Sequence, residues 1–254
     1  MTAGNDTGSE AMSRAFGGDD VGSASGIVQL STFGDVTPAL VHDLKGPLSA
    51  ITMNVDFALD QLPNDAAHEG VRSALIDCQQ AGGRLFRMIA NLLDVSRSEA
   101  GLLRPRLGPV SAPAMLKTIA DGYALEVAMR RVDLEVIVDA GRTSLESDAD
   151  LLGRVVQNLV ENALRYTRPK GHIRLSTSAT ATHCEIRVSN DGPPVLDSVR
   201  ERLFKRSVPA DGHQSGNRGL GLYFCKLAID AIGGQITLEE EAGFNVSFVI
   251  RLAL

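Results

Sequence analysis

Two consecutive runs of apolar residues, spaced in steps of three and four, constrain the fold of this chain most. The first run contains Leu44, Leu48, Ile51, Val55, Leu59 and Leu62, and the second contains Val71, Leu75, Cys78, Gly82, Leu85, Ile89 and Leu92. Such spacing places each set on one face of a helix. Pro63-Asn64-Asp65 predicts the turn between the two helices. A single hairpin buries little surface, so we expect two copies to form a dimeric four-helix bundle.

After Gly101 the pattern changes to a mixture of helices and strands. Helices are predicted at 111–129, 149–166 and 220–232, and strands at 132–138, 172–177, 184–189, 235–239 and 245–252. This mixture predicts an α/β sandwich in which helices cover one sheet of mostly antiparallel strands. The whole chain is therefore expected to be α+β. Its predicted divisions are a flexible polar arm at 1–30, the hairpin at 31–102 and the sandwich at 103–254.

The composition argues against several classes of function. The net charge is −6 and no basic stretch stands out, which argues against nucleic-acid binding. The three cysteines are far apart in the sequence, so neither a disulfide framework nor a zinc site is expected. No apolar run approaches the ~20 residues that span a bilayer, and the N-terminus lacks the layout of a signal peptide. We expect a cytoplasmic protein with no large sensory domain before the hairpin.

A motif in the first helix, HDLKGPL at 42–48, carries a candidate nucleophile. At helical spacing His42 falls opposite the apolar stripe, so its side chain is predicted to be exposed. A neutral imidazole is a competent nucleophile near pH 7. Asp43 beside it can hydrogen-bond one ring nitrogen or take up its proton, which leaves the other nitrogen free to attack.

A second motif, QNLVENALRYT at 157–167, carries Asn158, Asn162 and Arg165 at positions i, i+4 and i+7. These positions share one helix face. Amide oxygens are hard ligands that suit Mg²⁺, and arginine can pair with phosphate oxygens. Two asparagines inside a helix are poor for helix propensity, which favours a functional reason for them over a merely solvated face.

Two further motifs follow. In VSNDGPPV at 188–195 a strand ends on Asn190-Asp191, and a side chain at this point could accept a hydrogen bond from the amino group of adenine. Alone, this is an ordinary turn sequence. In GNRGLGLYFCK at 216–226 glycines open directly into a helix, where free backbone N–H groups suit a polyphosphate.

In this order and spacing, the four motifs resemble the H, N, G1 and G2 boxes of the sensor histidine kinases of two-component systems. Leu203-Phe204 is similar to the F box of that family. The resemblance covers about residues 35–254. It implies that 31–102 is a dimerisation and histidine phosphotransfer domain, and that 103–254 is a catalytic ATP-binding domain of the Bergerat type, shared with DNA gyrase. It also implies a homodimer that passes phosphate to an aspartate of a response-regulator receiver domain.

The resemblance assigns roles to individual residues. His42 would be the phosphorylated residue and Asp43 its acid–base neighbour. Asn162, helped by Asn158, would hold Mg²⁺. The ATP site would be formed by Asn158, Asn162, Arg165, Tyr166, Asn190, Asp191, Gly192, Gly219, Leu220 and Gly221.

The chain departs from the family pattern at several positions. Asn190 stands where the family has the aspartate that binds adenine, and Pro194 stands where it has the second glycine of that box. Asn217 replaces a glycine of the G2 box, and Ser207 replaces the second phenylalanine of the F box. Gly46 replaces the Thr or Asn that orients water for dephosphorylating the partner, which predicts weak or absent phosphatase activity.

Two other functions fit the same motifs. The first is an ATPase of the gyrase type, but that group has a glutamate as general base at the position of Asn158, and an amide cannot take up a proton. The second is a dimeric scaffold without catalysis, which the altered G1 box favours. For the kinase, the input signal, the cognate response regulator and the choice between phosphorylation within one subunit and across the dimer stay open. A separate sensor protein is expected to supply the signal.

Overall fold

A computed structural model of the chain describes residues 28–139, 144–206 and 220–254, with the side chains of 28–40, His42 and Ser144 outside the description. Within these ranges the chain forms a helical hairpin followed by an α/β sandwich. The α+β fold predicted from the sequence is confirmed.

The hairpin consists of helix α1 (Val28–Gln61) and helix α2 (Glu69–Glu99). Helix α1 begins well before the apolar spacing near Leu40, so residues 28–30 of the predicted polar arm are helical, and the rest of that arm lies outside the described residues. Gly82 is buried, and a β-carbon there would lie 3.0 Å from the Thr52 hydroxyl. The missing side chain therefore lets the two helices approach each other closely, as the sequence favoured.

The sandwich contains one large sheet and one small sheet. Its elements in chain order are β1 (Gly108–Ser111), α3 (Ala112–Arg130), β2 (Asp133–Val138), β3 (Ser144–Ser147), α4 (Ala149–Tyr166), β4 (His172–Ala179), β5 (His183–Asn190), α5 (Asp197–Arg200), α6 (Leu220–Ala231), β6 (Gln235–Glu241) and β7 (Phe244–Ala253). The large sheet has the order β2-β4-β5-β7-β6, and only the β2–β4 pair is parallel. Strands β1 and β3 form the small antiparallel sheet.

Helices α3, α4 and α6 pack against the large sheet, and the core lies between them. Alternate residues of β4, β5 and β7 point into this core, as period-2 alternation requires. The opposite side of the sheet carries arginine–glutamate pairs, among them Arg251–Glu239 and Arg174–Glu135. The sheet is thus covered by helices on one face and polar on the other.

Helix α4 begins where the sequence predicted. The Asp148 carboxylate accepts hydrogen bonds from the backbone N–H groups of Asp150 and Leu151, each at 3.0 Å, so it caps the first turn. Eight residues of α4 are buried in the core, from Leu151 to Leu164. Their burial fixes the rotation of the helix, and its polar face points away from the sheet.

Candidate active site

The polar face of α4 borders a cavity of about 520 Å³, a volume in the range of small-molecule sites. Helix α2, strand β5, the segment after β5 and the start of α6 form the other walls. Seven of the ten predicted ATP-site residues line the cavity: Asn158, Asn162, Arg165, Tyr166, Asn190, Leu220 and Gly221. Asp191 and Gly192 do not, and Gly219 lies outside the described residues. Three separately predicted motifs therefore meet at one site.

The start of α6 lies close to the asparagines of α4. A β-carbon at Gly221 would lie 3.3 Å from the Asn158 side-chain oxygen. This glycine therefore permits the first turn of α6 to approach the polar face of α4. Phe224, three residues later, is buried in the core and anchors that turn.

Asn158 is held by hydrogen bonds on both sides of its amide. Its side-chain nitrogen donates to the Arg154 carbonyl at 2.7 Å, and its side-chain oxygen accepts from the Asn91 amide of α2 at 3.2 Å. Among the described residues, no group of three or more His, Cys, Asp or Glu could hold a metal ion. The amide oxygens of Asn158 and Asn162 are hard donors and fit Mg²⁺, which needs few protein ligands.

Asn190 and Asp191 point in different directions at the end of β5. The Asp191 carboxylate accepts from the backbone N–H of His172 at 2.9 Å and does not line the cavity. Asn190 does line it, with 3% of its surface exposed. Its side-chain nitrogen is buried and has no hydrogen-bond partner within the described part of the chain. Only the amide can therefore serve as a polar contact for a ligand at this point.

Gly192 makes the position of Asn190 possible. A β-carbon at Gly192 would lie 2.6 Å from the Asn190 side-chain nitrogen and 2.9 Å from the Tyr166 carbonyl oxygen. Both distances are too short for a side chain at 192. Gly192, which was predicted for the nucleotide site, thus does not line the cavity but leaves room for Asn190, which does.

The sequence missed a polar contact between α2 and α4. The Arg87 guanidinium donates to the Glu161 carboxylate through two nitrogens, one of them at 2.9 Å. The Tyr123 hydroxyl donates to the same carboxylate at 3.1 Å. Burial, together with the charge of Glu161, raises the pKa of Tyr123, so its hydroxyl keeps the proton that it donates. Arg87 and Glu161 both line the cavity.

Further contacts attach α2 to the sandwich. Arg154 pairs with Asp94 and donates to the Asn91 side-chain oxygen at 3.3 Å. Its guanidinium carbon also lies 5.0 Å from the centre of the Phe224 ring, a favourable cation–π distance. Near the end of α2, Glu99 accepts from Arg206 at 2.9 Å and from Tyr223 at 3.1 Å. The polar spacing of Arg87, Asn91 and Asp94 on one helix face was the available signal for this contact.

The predicted nucleophile lies on the other helix of the hairpin. His42 is part of α1. Its side chain is not among those that the structure describes, so the exposure of that side chain stays a prediction. The Asp43 side chain is exposed and does not line the cavity. The structure therefore brings together the predicted nucleotide-site residues but does not place Asp43 among them.

Two family models match successive parts of the chain. Residues 34–101 match the His Kinase A (phospho-acceptor) domain, and residues 147–254 match the histidine kinase-, DNA gyrase B- and HSP90-like ATPase. Fold and site thus define a phospho-acceptor hairpin joined to an ATP-binding ATPase domain. The chain belongs to the sensor histidine kinases that combine these two domains.

Known relatives are sensor kinases. The chain is 29% identical over 221 residues to the adaptive-response sensory kinase SasA of Synechococcus sp., which covers 85% of this chain and 58% of that protein. It is 31% identical over 220 residues to the sensor protein KdpD of Mycobacterium tuberculosis, covering 85% of this chain and 25% of KdpD. The chain thus spans well under two thirds of the length of these curated relatives.

Solved structures share the fold. Full-length ShkA in complex with AMPPNP superposes with a TM-score of 0.62 at 23% identity, covering 86% of this chain and 45% of ShkA. The histidine kinase ThkA in complex with the response regulator TrrA gives a TM-score of 0.54 at 19% identity, covering 89% of this chain and 63% of that chain.

In the described ranges, no helix has the length and apolar character needed to cross a bilayer.

Proposed function

We propose that this chain is an ATP-dependent protein-histidine kinase that phosphorylates itself on His42 and transfers the phosphoryl group to an aspartate of a response-regulator receiver domain. The observation that carries the proposal is the cavity on the polar face of α4, next to a hairpin whose other helix contains His42. Two relatives support it, since SasA is named as a sensory kinase and KdpD as a sensor protein.

In this proposal the cavity residues bind and orient ATP. Arg165 pairs with phosphate oxygens, and Asn162 and Asn158 offer amide oxygens to Mg²⁺. Bound Mg²⁺ would neutralise charge on the phosphates during transfer. Tyr166 and the first turn of α6 at Leu220 and Gly221 complete the walls around the nucleotide. Catalysis is then mainly a matter of positioning and of charge neutralisation.

The transfer itself needs one nucleophile and one proton acceptor. A ring nitrogen of His42 attacks the γ-phosphorus, the bond from that phosphorus to the β–γ bridging oxygen breaks, and ADP leaves. The proton on the ring passes to Asp43 or to water. In the second step an aspartate oxygen of the receiver domain attacks the same phosphorus and the phosphorus–nitrogen bond breaks, which regenerates His42.

In this proposal α2 moves relative to α4 during the reaction, because Asn91 donates a hydrogen bond to the Asn158 oxygen proposed for Mg²⁺. The segment 100–105 after α2 is the proposed hinge. Gly101 there has a φ of +67°, a conformation that glycine adopts without strain. Rotation at this segment would separate the hairpin from the sandwich and allow His42 to approach the cavity.

The proposed partners follow from the hairpin and from the family. Large apolar side chains of the two stripes remain exposed on the hairpin, among them Leu44, Ile51, Val71 and Leu85. A second copy of the hairpin would cover them, which supports a homodimer. The complex of ThkA with TrrA supports docking of a response regulator. A separate sensor protein is the proposed source of the input signal.

Autophosphorylation with γ-labelled ATP tests the proposal. We expect label on the wild-type chain and none on His42→Ala or Asn162→Ala. The matched control is His68→Ala, which removes a histidine at the hairpin turn whose side chain is 40% exposed and should keep the label. The label should be lost in acid and kept in base, as a phosphorus–nitrogen bond requires.

Three results would contradict the proposal. Label that persists in His42→Ala would show another acceptor residue. Steady release of labelled phosphate without labelled protein would favour the ATPase. ATP binding without either reaction would favour the scaffold.

A further inference from the structure

Asn190 is the one predicted nucleotide-site residue whose buried polar atom has no partner in the described ranges. It ends strand β5, where its backbone pairs with Ile173 of β4 and Val246 of β7, so its main chain is fixed on both sides. Its side chain borders the cavity beside the apolar Val246 and Phe248. A buried amide nitrogen without a partner is costly. The nitrogen lies against Gly192 with almost no exposed surface, so a half-turn of the amide toward a ligand in the cavity would relieve this cost.

Close packing fixes the place of the amide group, and a half-turn about its own bond exchanges its oxygen and nitrogen without displacing it. A β-carbon at Gly192 would lie 2.6 Å from the amide nitrogen and 2.9 Å from the Tyr166 carbonyl oxygen. Asp191 cannot replace it, because the Asp191 carboxylate accepts from the His172 backbone outside the cavity. Base recognition at this end of the site therefore depends on a neutral amide, which both donates and accepts.

An amide and a carboxylate select different bases. A carboxylate only accepts, so it favours the 6-amino group of adenine and opposes the 6-oxo group of hypoxanthine or guanine. An amide can accept from the 6-amino group and donate to the neighbouring ring nitrogen. After rotation by half a turn, which exchanges its oxygen and nitrogen, it can donate to a 6-oxo group and accept from the adjacent N–H.

We propose that Asn190 makes this nucleotide site accept 6-oxopurine nucleotides as well as adenine nucleotides. This inference rests on the proposed nucleotide site and names the class of base that it takes. In the described orientation the nitrogen is enclosed and has no partner, so the half-turn that presents it to a 6-oxo group breaks no hydrogen bond of that nitrogen. The site therefore discriminates little between ATP and its 6-oxo analogues.

Equilibrium binding separates the two bases. A fluorescent ATP analogue bound to the full chain with Mg²⁺ is displaced by ATP or by inosine triphosphate, which differs from ATP at the 6-position without the extra amino group of GTP. We expect the two dissociation constants of the wild type to agree within about tenfold. In Asn190→Asp the constant for inosine triphosphate should rise about 10- to 100-fold relative to that for ATP, because two acceptors then face each other.

Each outcome separates the inference from the proposed function. ATP binding with inosine triphosphate more than about 100-fold weaker in the wild type would overturn the inference and leave the kinase proposal intact. An unchanged ratio of the two dissociation constants in Asn190→Asp would also overturn the inference, because Asn190 would then not determine the preference between inosine triphosphate and ATP. If no nucleotide binds to the wild type, the proposed function itself fails. The wild-type comparison decides the matter even if the variant does not fold.

Discussion

At the scale of single residues, the chain differs from its family by small changes with separable consequences. Gly46 lies on α1, four positions after His42, and nothing comes within 4 Å of the place where its β-carbon would be. A side chain can be added there without a clash. The position can therefore be tested for one activity without disturbing the hairpin.

We expect Gly46→Thr to increase dephosphorylation of the phosphorylated response regulator, because the added hydroxyl could orient a water molecule. The wild type should show little of this activity. The measurement is loss of phosphate from the isolated phosphorylated receiver domain in the presence of ADP. Gly46→Ala is the matched control, since it adds a β-carbon without a polar group. Equal rates in Gly46→Thr and Gly46→Ala would contradict this role for the position.

Glu239 allows a prediction about pH. Hydrogen bonds from Arg251, at 2.6 and 2.8 Å, lower the pKa of Glu239 from 4.5 to about 2. A depressed pKa means that the ion pair contributes its full stability above pH 4.5 and loses it as the pH falls toward 2. We expect Glu239→Gln to lower the midpoint of thermal unfolding at pH 7 by about 2–4 °C, and less at pH 3.

The exposed neighbour Glu240 provides the control for this prediction. Glu240→Gln should leave the midpoint nearly unchanged at both pH values, because surface substitutions have small effects. An equal loss at pH 7 and pH 3 in Glu239→Gln would show that the ion pair is not the source of the effect.

At the scale of elements, α2 competes for the proposed Mg²⁺ ligand of α4. We expect Asn91→Ala to strengthen binding of the Mg²⁺–nucleotide complex by about 2- to 10-fold, since the Asn158 oxygen would no longer be engaged. Glu99→Gln is the control, because it weakens the contacts of α2 with Arg206 and Tyr223 near the helix end. Weaker nucleotide binding in Asn91→Ala would mean that Asn91 supports the site.

Elements defined by local patterns were predictable from the sequence. The helix predicted at 149–166 is α4 at Ala149–Tyr166, and its spacing brought Asn158, Asn162 and Arg165 to the cavity. Strands β1 and β3 were missed because four residues are too few to show an alternation. The short helix α5 was also missed, because four residues are too few to show helical spacing.

Contacts between distant elements were not predictable in this way. Arg87 and Glu161 are 74 positions apart, and the polar spacing on α2 shows a polar face without identifying Glu161 as its partner. The sequence also left open which of Asn190 and Asp191 serves the cavity. That choice depends on the backbone N–H of His172, at the start of β4, which donates a hydrogen bond to the Asp191 carboxylate.

At the scale of the whole molecule, the hairpin and the sandwich are joined by an interface with a large polar part. Among the described residues, the ion pairs Arg87–Glu161, Arg154–Asp94 and Arg206–Glu99 cross it. Polar interfaces within one chain resemble transient protein–protein contacts and allow the two parts to separate. A kinase that must bring its histidine to its nucleotide needs an interface of this kind.

The Arg87–Glu161 pair offers a direct test of that separation. Arg87→Glu would place two carboxylates together in a half-buried contact, where like charges repel and remain poorly solvated. We expect this variant to shift toward a separated arrangement and to show a larger radius of gyration in small-angle X-ray scattering. Adding Glu161→Arg to it restores opposite charges in exchanged positions. The double variant should therefore return to the wild-type radius, whereas a variant pair that stays expanded would show that charge pairing does not hold α2 against α4.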